Sequence, residues 1–381
     1  MSADRTTQST DELTVTVSGG SMAGLFAGIE LDDAGHDVTV FERSAGELRS
    51  RGGGIVAQQS VRRFLARHCA VDPAEITTAT SERRYLATDG SVDTARPESM
   101  AFTSWDAVYR ALRDSFPDDR YHMDRRVVSV SPATGTATFA DGTDTTADVL
   151  LAAEGGQSST RRQLFPDVTP DFADYVAWRG VTPEADLPPA VIEAFDDRFT
   201  FYQGADQLAL AYFIPGPDGQ TAPGERRLNW VWYDALSGRD RRALFTDDAG
   251  TERRFTVPPG RLRAPVERRR RDRAESTLPP VFADLVAATT DPFVQAIYDL
   301  TVPSMTVDRV CLLGDAAFVA RPHTAAGTAK AADDVVELAA ALDRHEALEA
   351  ALSAWGKTRG TDGARLVARG KRMGDDRLGL G

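Results

Sequence analysis

Residues 13–17 alternate Leu, Thr, Val, Thr, Val, the period-2 pattern of a half-buried strand, and the run GGSMAG follows at once at 19–24. Residues 22–34 predict a helix: Leu25 and Ile29 lie one turn apart, Ala23, Ala27 and Gly28 are small enough for close packing, and Gly35 suits its C-terminal cap. Residues 37–42, DVTVFE, predict a second strand and complete a compact βαβ start. Residues 60–70 and 104–116 predict helices, with a hairpin between them around Asp89 and Gly90. Residues 127–130, 136–139 and 148–152 predict strands, with a turn at Asp141 and Gly142. From 172 to 235 the texture changes to aromatic-rich strands at 199–202, 208–214 and 228–233, separated by Pro and Gly, which predicts a second, antiparallel sheet. Residues 266–289 predict helix, 310–313 a buried strand and 325–356 one or two helices. Residues 1–11 are expected to be disordered, and the Gly- and charge-rich tail from 370 is expected to fray.

Composition narrows the class. A chain of 381 residues suits two domains sharing one fold. Asp plus Glu number 57 against 44 Lys plus Arg, a net charge of -13, and the only lysines are Lys330, Lys357 and Lys371. An Asp-rich, Lys-poor surface suits a salt-rich cytoplasm, although a GC-rich genome also replaces Lys by Arg. The acidic balance argues against nucleic acid as a partner. The one basic run, Arg268 to Arg271, sits beside Glu267, Asp272 and Glu275 and reads as a solvated helix face. Cys69 and Cys311 give neither a disulfide framework nor a zinc spacing, and no metal site is expected. The polar N-terminus holds no apolar signal region, and no stretch approaches the ~20 apolar residues of a membrane span. A reduced, cytoplasmic, soluble protein is expected, with a homodimer among the open oligomeric states.

Three constellations carry chemistry. The first is Gly19 to Gly24, a G-x-G-x-x-G frame with Ser21 in place of the second glycine. Glycines there allow a tight turn and let backbone N–H groups meet a pyrophosphate at a helix N-terminus. Glu42 stands eighteen residues past Gly24, where an acid accepts hydrogen bonds from ribose hydroxyls. The second is the 148–161 run, a strand leading into Glu154, two glycines and Arg161. In the third, a buried strand delivers Gly314 and Asp315, Pro322 rigidifies the following loop, and Gly327 opens a helix.

Together these resemble the FAD-dependent aromatic hydroxylases of the para-hydroxybenzoate hydroxylase fold, most strongly the 2,6-dihydroxypyridine 3-hydroxylase-like branch. The resemblance spans residues 13–360 and includes the WRGV strand at 178–181, the NWVWY strand at 229–233 and the RPHTAAGTAK loop at 321–330. It implies an α/β (α+β mixed) fold: a Rossmann-like FAD-binding domain with an inserted antiparallel-sheet substrate domain. The FAD-binding domain would be discontinuous, from 13–80, 101–165 and 300–345. Residues 81–100 and 166–299 would form the substrate domain, between a disordered 1–12 and a C-terminal helix and tail at 346–381. By the same resemblance Gly19, Gly20, Ser21 and Gly24 hold the FAD pyrophosphate, and Glu42 and Arg43 the adenosine end. Gly314 and Asp315 hold the ribityl chain, and Pro322, Ala326 and Gly327 line the isoalloxazine. Glu154 stands where the family has Asp. Ser104, Trp105 and Asp106 stand where it often has Arg, so attention moves to Arg51 and the three glycines at 52–54 as a mobile loop.

The implied reaction hydroxylates a small phenolic or N-heteroaromatic ring with NADH or NADPH and O2, through a flavin hydroperoxide, in a site that positions the ring and excludes water. His323, with an ordinary pKa near ~6.5, is the candidate base. Tyr202, Tyr212, Trp232 and Arg179 are the candidate substrate contacts, Arg179 either facing an anion or pairing with an Asp. Alternatives are a flavin-dependent reductase of isoprenoid lipids on the same fold, a nicotinamide-dependent dehydrogenase, and a non-catalytic flavin sensor. A dehydrogenase leaves Gly314, Asp315 and the Pro322 loop unexplained.

Overall fold

The alternating residues near the N-terminus form the middle of a six-stranded sheet. In the computed structural model, which describes residues 8–46, 48 and 53–378, strand Thr14–Ser18 pairs in parallel with Asp37–Phe41 and Val149–Ala152. Val310–Leu312 extends the sheet in parallel, Thr306–Val307 closes that edge antiparallel, and Tyr121–His122 forms the other edge. Val15, Val17, Val38, Val40, Leu150 and Leu151 are all buried, as expected of parallel strands covered on both faces. The glycine turn is sterically required. Gly19 has φ +110, and a Cβ on Gly24 would lie 1.8 Å from the Gly19 carbonyl oxygen.

The second sheet has ten strands. It runs Thr256–Val257, Phe293–Thr301, Asp171–Pro183, Arg227–Ala235, Gln207–Ile214, Arg198–Gln203, Thr78–Leu86, Val92–Ser104 and Gly54–Val56, with Phe318–Val319 paired to Phe293–Thr301. It is antiparallel except where Arg198–Gln203 meets Thr78–Leu86 in parallel, a departure from the all-antiparallel expectation. Strand alternation splits its residues between two apolar clusters. The back cluster holds Trp178, Tyr202, Phe213, Trp230 and Trp232 together with Phe195, Phe282 and Leu285 from helices Pro189–Phe195 and Pro280–Ala288. The front cluster holds Tyr175, Ala177, Phe199, Tyr212, Val231, Tyr233 and Leu378. Strands Val127–Ser131, Thr136–Phe139 and Asp144–Thr146 form a small separate meander.

Two regions differ from the sequence expectation at the chain ends. Residues 8–12 are tied down: Ser9 bridges Ala347, and Thr10 Oγ1 donates to the His345 carbonyl at 2.7 Å. The tail does not fray at 370. One helix, Leu348–Leu378, runs 31 residues, about 46 Å at 1.5 Å per residue. Its glycines recur near heptad spacing and let it press on other elements. A Cβ on Gly363 would lie 2.3 Å from the Phe318 ring, and one on Gly374 2.7 Å from Arg321 Nη1. Leu378, at the far end, is buried in the front cluster of the ten-stranded sheet.

Local charge patterns also hid two burials. His68, in a stretch with Arg62, Arg63 and Arg67, has a buried ring held between Glu30 at 2.9 Å and Asp33 at 2.5 Å. Arg270, read within a solvated run, is buried. No helix among the described residues is long and apolar enough to cross a membrane.

The Gly363 contact sets a stability expectation. Gly363→Val overpacks the helix against Phe318 and should lose about 1–3 kcal/mol, read as a lower urea midpoint at unchanged m. An unchanged midpoint would mean that the helix does not pack there.

Candidate active site

A groove of about 520 Å³ opens at the carboxyl ends of the parallel strands, where open α/β sheets bind ligands. Ser18, Phe41 and Ala153 line it from the ends of three strands, and Asp315 from the turn after a fourth. Two helices point their N-termini at it: Ser21, Met22 and Ala23 from Met22–Asp33, and Gly327 and Thr328 from Gly327–Arg344. First-turn N–H groups have no intrahelical partner, and the helix dipole is positive there. Neither helix has an acidic residue in its first turn or a side-chain cap, so Ser21 Oγ is not spent on capping. A Cβ added to Gly327 would meet nothing within 4 Å. Such a groove suits a long ligand with a negative middle, as the resemblance implies for FAD.

Each expected cofactor residue has a definite place. Glu42 is buried and lines the groove; its carboxylate accepts from the Gly20 N–H at 2.9 Å and the Ser44 N–H at 2.8 Å. Arg43 lies exposed beside it on the groove wall. Gly20 and Gly24 shape the turn without lining the groove; the Gly20 carbonyl accepts from Tyr121 Oη at 2.9 Å. Glu154 faces the groove, but its carboxylate accepts from Ser18 Oγ at 2.8 Å, Ser158 Oγ at 2.6 Å and the Thr160 N–H at 2.9 Å. It thereby ties the first strand to helix Ser159–Leu164. The N–H of Gly314, at φ +57, donates to Asp334 Oδ2 at 3.1 Å. Lys330 Nζ donates to Asp315 Oδ1 at 3.0 Å. Pro322 and Ala326 belong to the loop leading into the second helix without lining the groove, and Ala325 between them adopts φ 52.

Several groove residues escaped sequence reasoning. Arg125, Arg126 and Arg162 line it with Arg43, giving the groove a basic rim. The dipeptide Arg125-Arg126 just ahead of a strand was the available signal. Trp105 takes a place on the wall and stacks on Tyr109, ring centroids 4.9 Å apart. Arg161, fully buried, donates to the Gly156 carbonyl at 2.8 Å and the Ala316 carbonyl at 3.2 Å, stitching two groove loops together.

The loop at 321–326 leans on the front face of the ten-stranded sheet. His323 Nε2 lies 3.0 Å from Tyr175 Oη, and the ring centroid is 4.4 Å from that of Tyr233. Burial first, then the charges of Arg377, Arg321 and Arg179, push the His323 pKa down to about 3. The near-neutral pKa expected from sequence is therefore absent, and the imidazole is neutral at pH 7. Burial holds the Tyr175 phenol above its ordinary pKa, so it keeps its proton.

On the same face, Tyr212 stacks on Phe102 at 4.0 Å. Asn229 Oδ1 accepts from the Gly54 N–H at 2.8 Å. A Cβ on Gly54 would lie 2.6 Å from Tyr212, so glycine is needed for this approach. Arg51 and Gly52, singled out with this loop, lie outside the described residues. Arg179 makes no ion pair with an Asp among the described residues, and its Nε is buried without a hydrogen-bond partner. The Nδ2 of Asn229 and the Nδ1 of His323 are in the same condition.

Two expected substrate contacts are not brought here. Trp232 and Tyr202 lie in the back cluster, where Trp232 Nε1 donates to Gln207 Oε1 at 2.9 Å and Tyr202 Oη lies 3.3 Å from Thr88 Oγ1. Alternation put Trp232 and Tyr233 on opposite faces without saying which face met the 321–326 loop. Tyr233, Asn229 and Tyr175 lie on that face instead.

Residues 172–299 match the family described as FAD binding domain-like. The chain is 36% identical to the 2,6-dihydroxypyridine 3-monooxygenase of Paenarthrobacter nicotinovorans, over 94% of this chain and 90% of that protein. The solved 2,6-dihydroxypyridine-3-hydroxylase of Arthrobacter nicotinovorans superposes with a TM-score of 0.90 at 35% identity, covering 96% of this chain and 92% of that one. Klebsiella pneumoniae HpxO, solved with FAD and uric acid, shares the fold at a TM-score of 0.76 and 19% identity, over 96% of this chain and 89% of that one.

The low pKa of His323 has a sign that can be read in stability. The unfolded chain takes up this proton near 6.5, the folded protein only near about 3. Stability is therefore lost as pH falls from about 6.5 toward 3, because the unfolded state binds more protons there. His323→Gln should lose less stability than the parent over that window in urea titrations. Parallel curves would show that the imidazole titrates normally.

Proposed function

The chain belongs to the FAD-dependent aromatic-ring monooxygenases, and we propose that its substrate is a small hydroxylated N-heteroaromatic ring of the dihydroxypyridine type. Enzymes of this family are flavoproteins that hydroxylate phenolic or N-heteroaromatic compounds and typically draw on NAD(P)H and O2. The finer reading rests on one observation. The front face presents three buried polar atoms without protein partners, Arg179 Nε, Asn229 Nδ2 and His323 Nδ1, among the apolar walls of Tyr212 and Tyr233. A bare hydrocarbon ring would leave all three unpaired, at roughly 1–3 kcal/mol each. A ring bearing hydroxyl oxygens and a ring nitrogen pairs with them.

Bound FAD supplies the two-electron chemistry and the activation of O2. The residues around it have distinct tasks in this reading. The first-turn N–H groups of Met22 and Ala23, with Gly19 and Ser21, hold the pyrophosphate. Glu42 and Arg43 hold the adenosine end, and Gly314 and Asp315 the ribityl chain. Pro322, Ala326 and Gly327 meet the isoalloxazine, where the positive helix end favours the anionic reduced ring. Gly20, Gly24 and Glu154 keep the walls in place. Residues 13–80, 101–165 and 300–345 supply most of the cofactor half and 81–100 with 166–299 most of the substrate half, whose sheet also takes in Gly54–Val56, the start of Thr78–Leu86 and the end of Val92–Ser104.

At the ring, Arg179 favours the oxyanion form of a substrate hydroxyl, which makes the ring electron-rich. When Tyr175 donates to His323 Nε2, Nδ1 carries the imidazole proton and presents it as a donor. His323 thus orients the ring and does not store a proton, in keeping with its low pKa. Asn229 contributes an amide donor, and Leu378 packs in the apolar cluster of the same face.

The reading is tested by following flavin absorbance under anaerobic NADH addition, with a panel of phenols and hydroxypyridines. Many-fold acceleration by a dihydroxypyridine, and less by simple phenols, is expected. Fast bleaching with no ring compound, or none with any, would overturn it. Arg179→Gln should raise KM for that ring by about tenfold or more, the worth of one charge-assisted hydrogen bond, with flavin content unchanged. Asp315→Ala should yield a colourless, less stable protein; full flavin occupancy would remove that residue from the cofactor site.

A further inference from the structure

Behind the substrate face lies a second cavity of about 370 Å³, within the size range of small-molecule sites. It is bounded by strands Asp171–Pro183 and Arg227–Ala235 and by helices Gly238–Leu244 and Ala264–Thr277. Its apolar walls include Val176, Trp178, Trp232, Leu244 and Val266. Arg270 reaches it from Ala264–Thr277 and is 3% exposed. None of its three guanidinium nitrogens has a hydrogen-bond partner. The group lies 5.7 Å from the Trp178 ring centroid and 5.5 Å from that of Trp230.

The nearby carboxylates are engaged elsewhere. Arg273 donates to Asp234 at 2.6 Å, Arg271 to Glu267 at 2.7 Å, and Ser237 Oγ to Asp240 at 2.7 Å. Arg269 and Arg273 add two more cations to the lining, against the acids Asp234 and Asp240. Two indole faces give a cation some relief but satisfy none of its N–H donors. A buried, unpaired guanidinium beside open space is a costly arrangement in the free protein, and an anion entering that space relieves it. Burial pushes the Arg270 pKa down to about 10, which still leaves the group charged at neutral pH.

We propose that this cavity binds a small organic monoanion, a flat apolar body carrying one carboxylate, with Arg270 as its counter-charge. The guanidinium fork matches a carboxylate bidentately. The indole of Trp232 and the aliphatic Val176, Leu244 and Val266 suit a ring or short chain. The site is distinct from the substrate chamber: Trp178 and Trp232 face it, whereas Arg179 and Tyr233 face the other way along the same two strands.

The FAD-loaded enzyme would be titrated with sodium benzoate, sodium chloride and sodium phosphate at constant ionic strength, following melting temperature and tryptophan fluorescence. Benzoate should raise the melting temperature and change the fluorescence saturably. Arg270→Met should weaken that response by about tenfold or more, keep flavin and turnover, and melt no lower than the parent in anion-free buffer. Leu244→Trp, which fills the cavity and spares Arg270, should also abolish the response, and it stands in if Arg270→Met fails to fold. Arg179→Gln should leave the response unchanged. A benzoate response lost with Arg179 and kept without Arg270 would overturn the proposal. So would the absence of any saturable response. An Arg270-dependent gain with chloride or phosphate that benzoate does not exceed would overturn the organic ligand in favour of an inorganic ion.

Discussion

Arg321 holds together the parts of the molecule that must meet. It is 5% exposed, and its guanidinium reaches both oxygens of Asp299 on the ten-stranded sheet, at 2.9 to 3.2 Å, and Asp375 on the C-terminal helix at 2.6 Å. The Tyr175 ring lies 5.4 Å from the same group. Removing one partner of a buried pair leaves an uncompensated charge, a loss of roughly 3–5 kcal/mol. The bridge therefore fixes the 321–326 loop between the sheets. That loop carries His323 on one side and leads into the helix N-terminus at Gly327 on the other. Arg321 thus ties the front face of the ten-stranded sheet to the loop that leads into the groove.

The electrostatics of the groove follow from the same economy. Two helix N-termini and a rim of arginines converge where no first-turn acid answers them. Of the three acids that line the groove among the described residues, two are engaged by the frame, Glu42 by the glycine turn and Glu154 by the Ser159–Leu164 helix, and the third, Asp315, is paired with Lys330. A net acidic chain thus builds a locally positive slot by engaging its groove carboxylates with backbone N–H groups, hydroxyls and one ammonium. Across the loop, burial first and then three arginine charges depress the His323 pKa, so the imidazole is a neutral hydrogen-bonding group among guanidinium groups.

How much of this was legible in the sequence depended on whether the signal was local. The strand, glycine turn and acid at 13–42 are one contiguous pattern, and the parallel sheet follows from it. The NWVWY run at 229–233 gave the alternation but not the side, because both faces of that strand are buried, one under helices and one under the loop. The larger aromatic, Trp232, drew the assignment, and the smaller Asn229 was the residue on the face beneath the loop. The C-terminal helix was misread because glycines at 363, 370 and 374 look like breakers locally. Their purpose is contact with Phe318, Arg321 and Tyr175, which is visible only in three dimensions. Arg270 was hidden by its neighbours, since three of four consecutive arginines are not buried and set the appearance of the run.

Arg179 and Arg270 bring these strands into one argument. The first faces the chamber from strand Asp171–Pro183, and the second lies over Trp178, its neighbour in the chain, on the reverse face. Arg179 leaves its Nε without a protein partner and Arg270 all three of its guanidinium nitrogens, whereas Arg226 and Arg321 are met by carboxylates. The contrast matters more than either residue alone. Where an arginine serves the frame, carboxylates or carbonyls meet most of its guanidinium within 3.2 Å, as at Arg161, whose Nε alone is left over. Where the frame gains nothing, the unpaired charge lowers stability, and its persistence is explained by what it can bind. On the front face the proposed ligand is the ring substrate's oxyanion, and the same logic, applied one side chain away, reads the rear cavity as a second place for an anion.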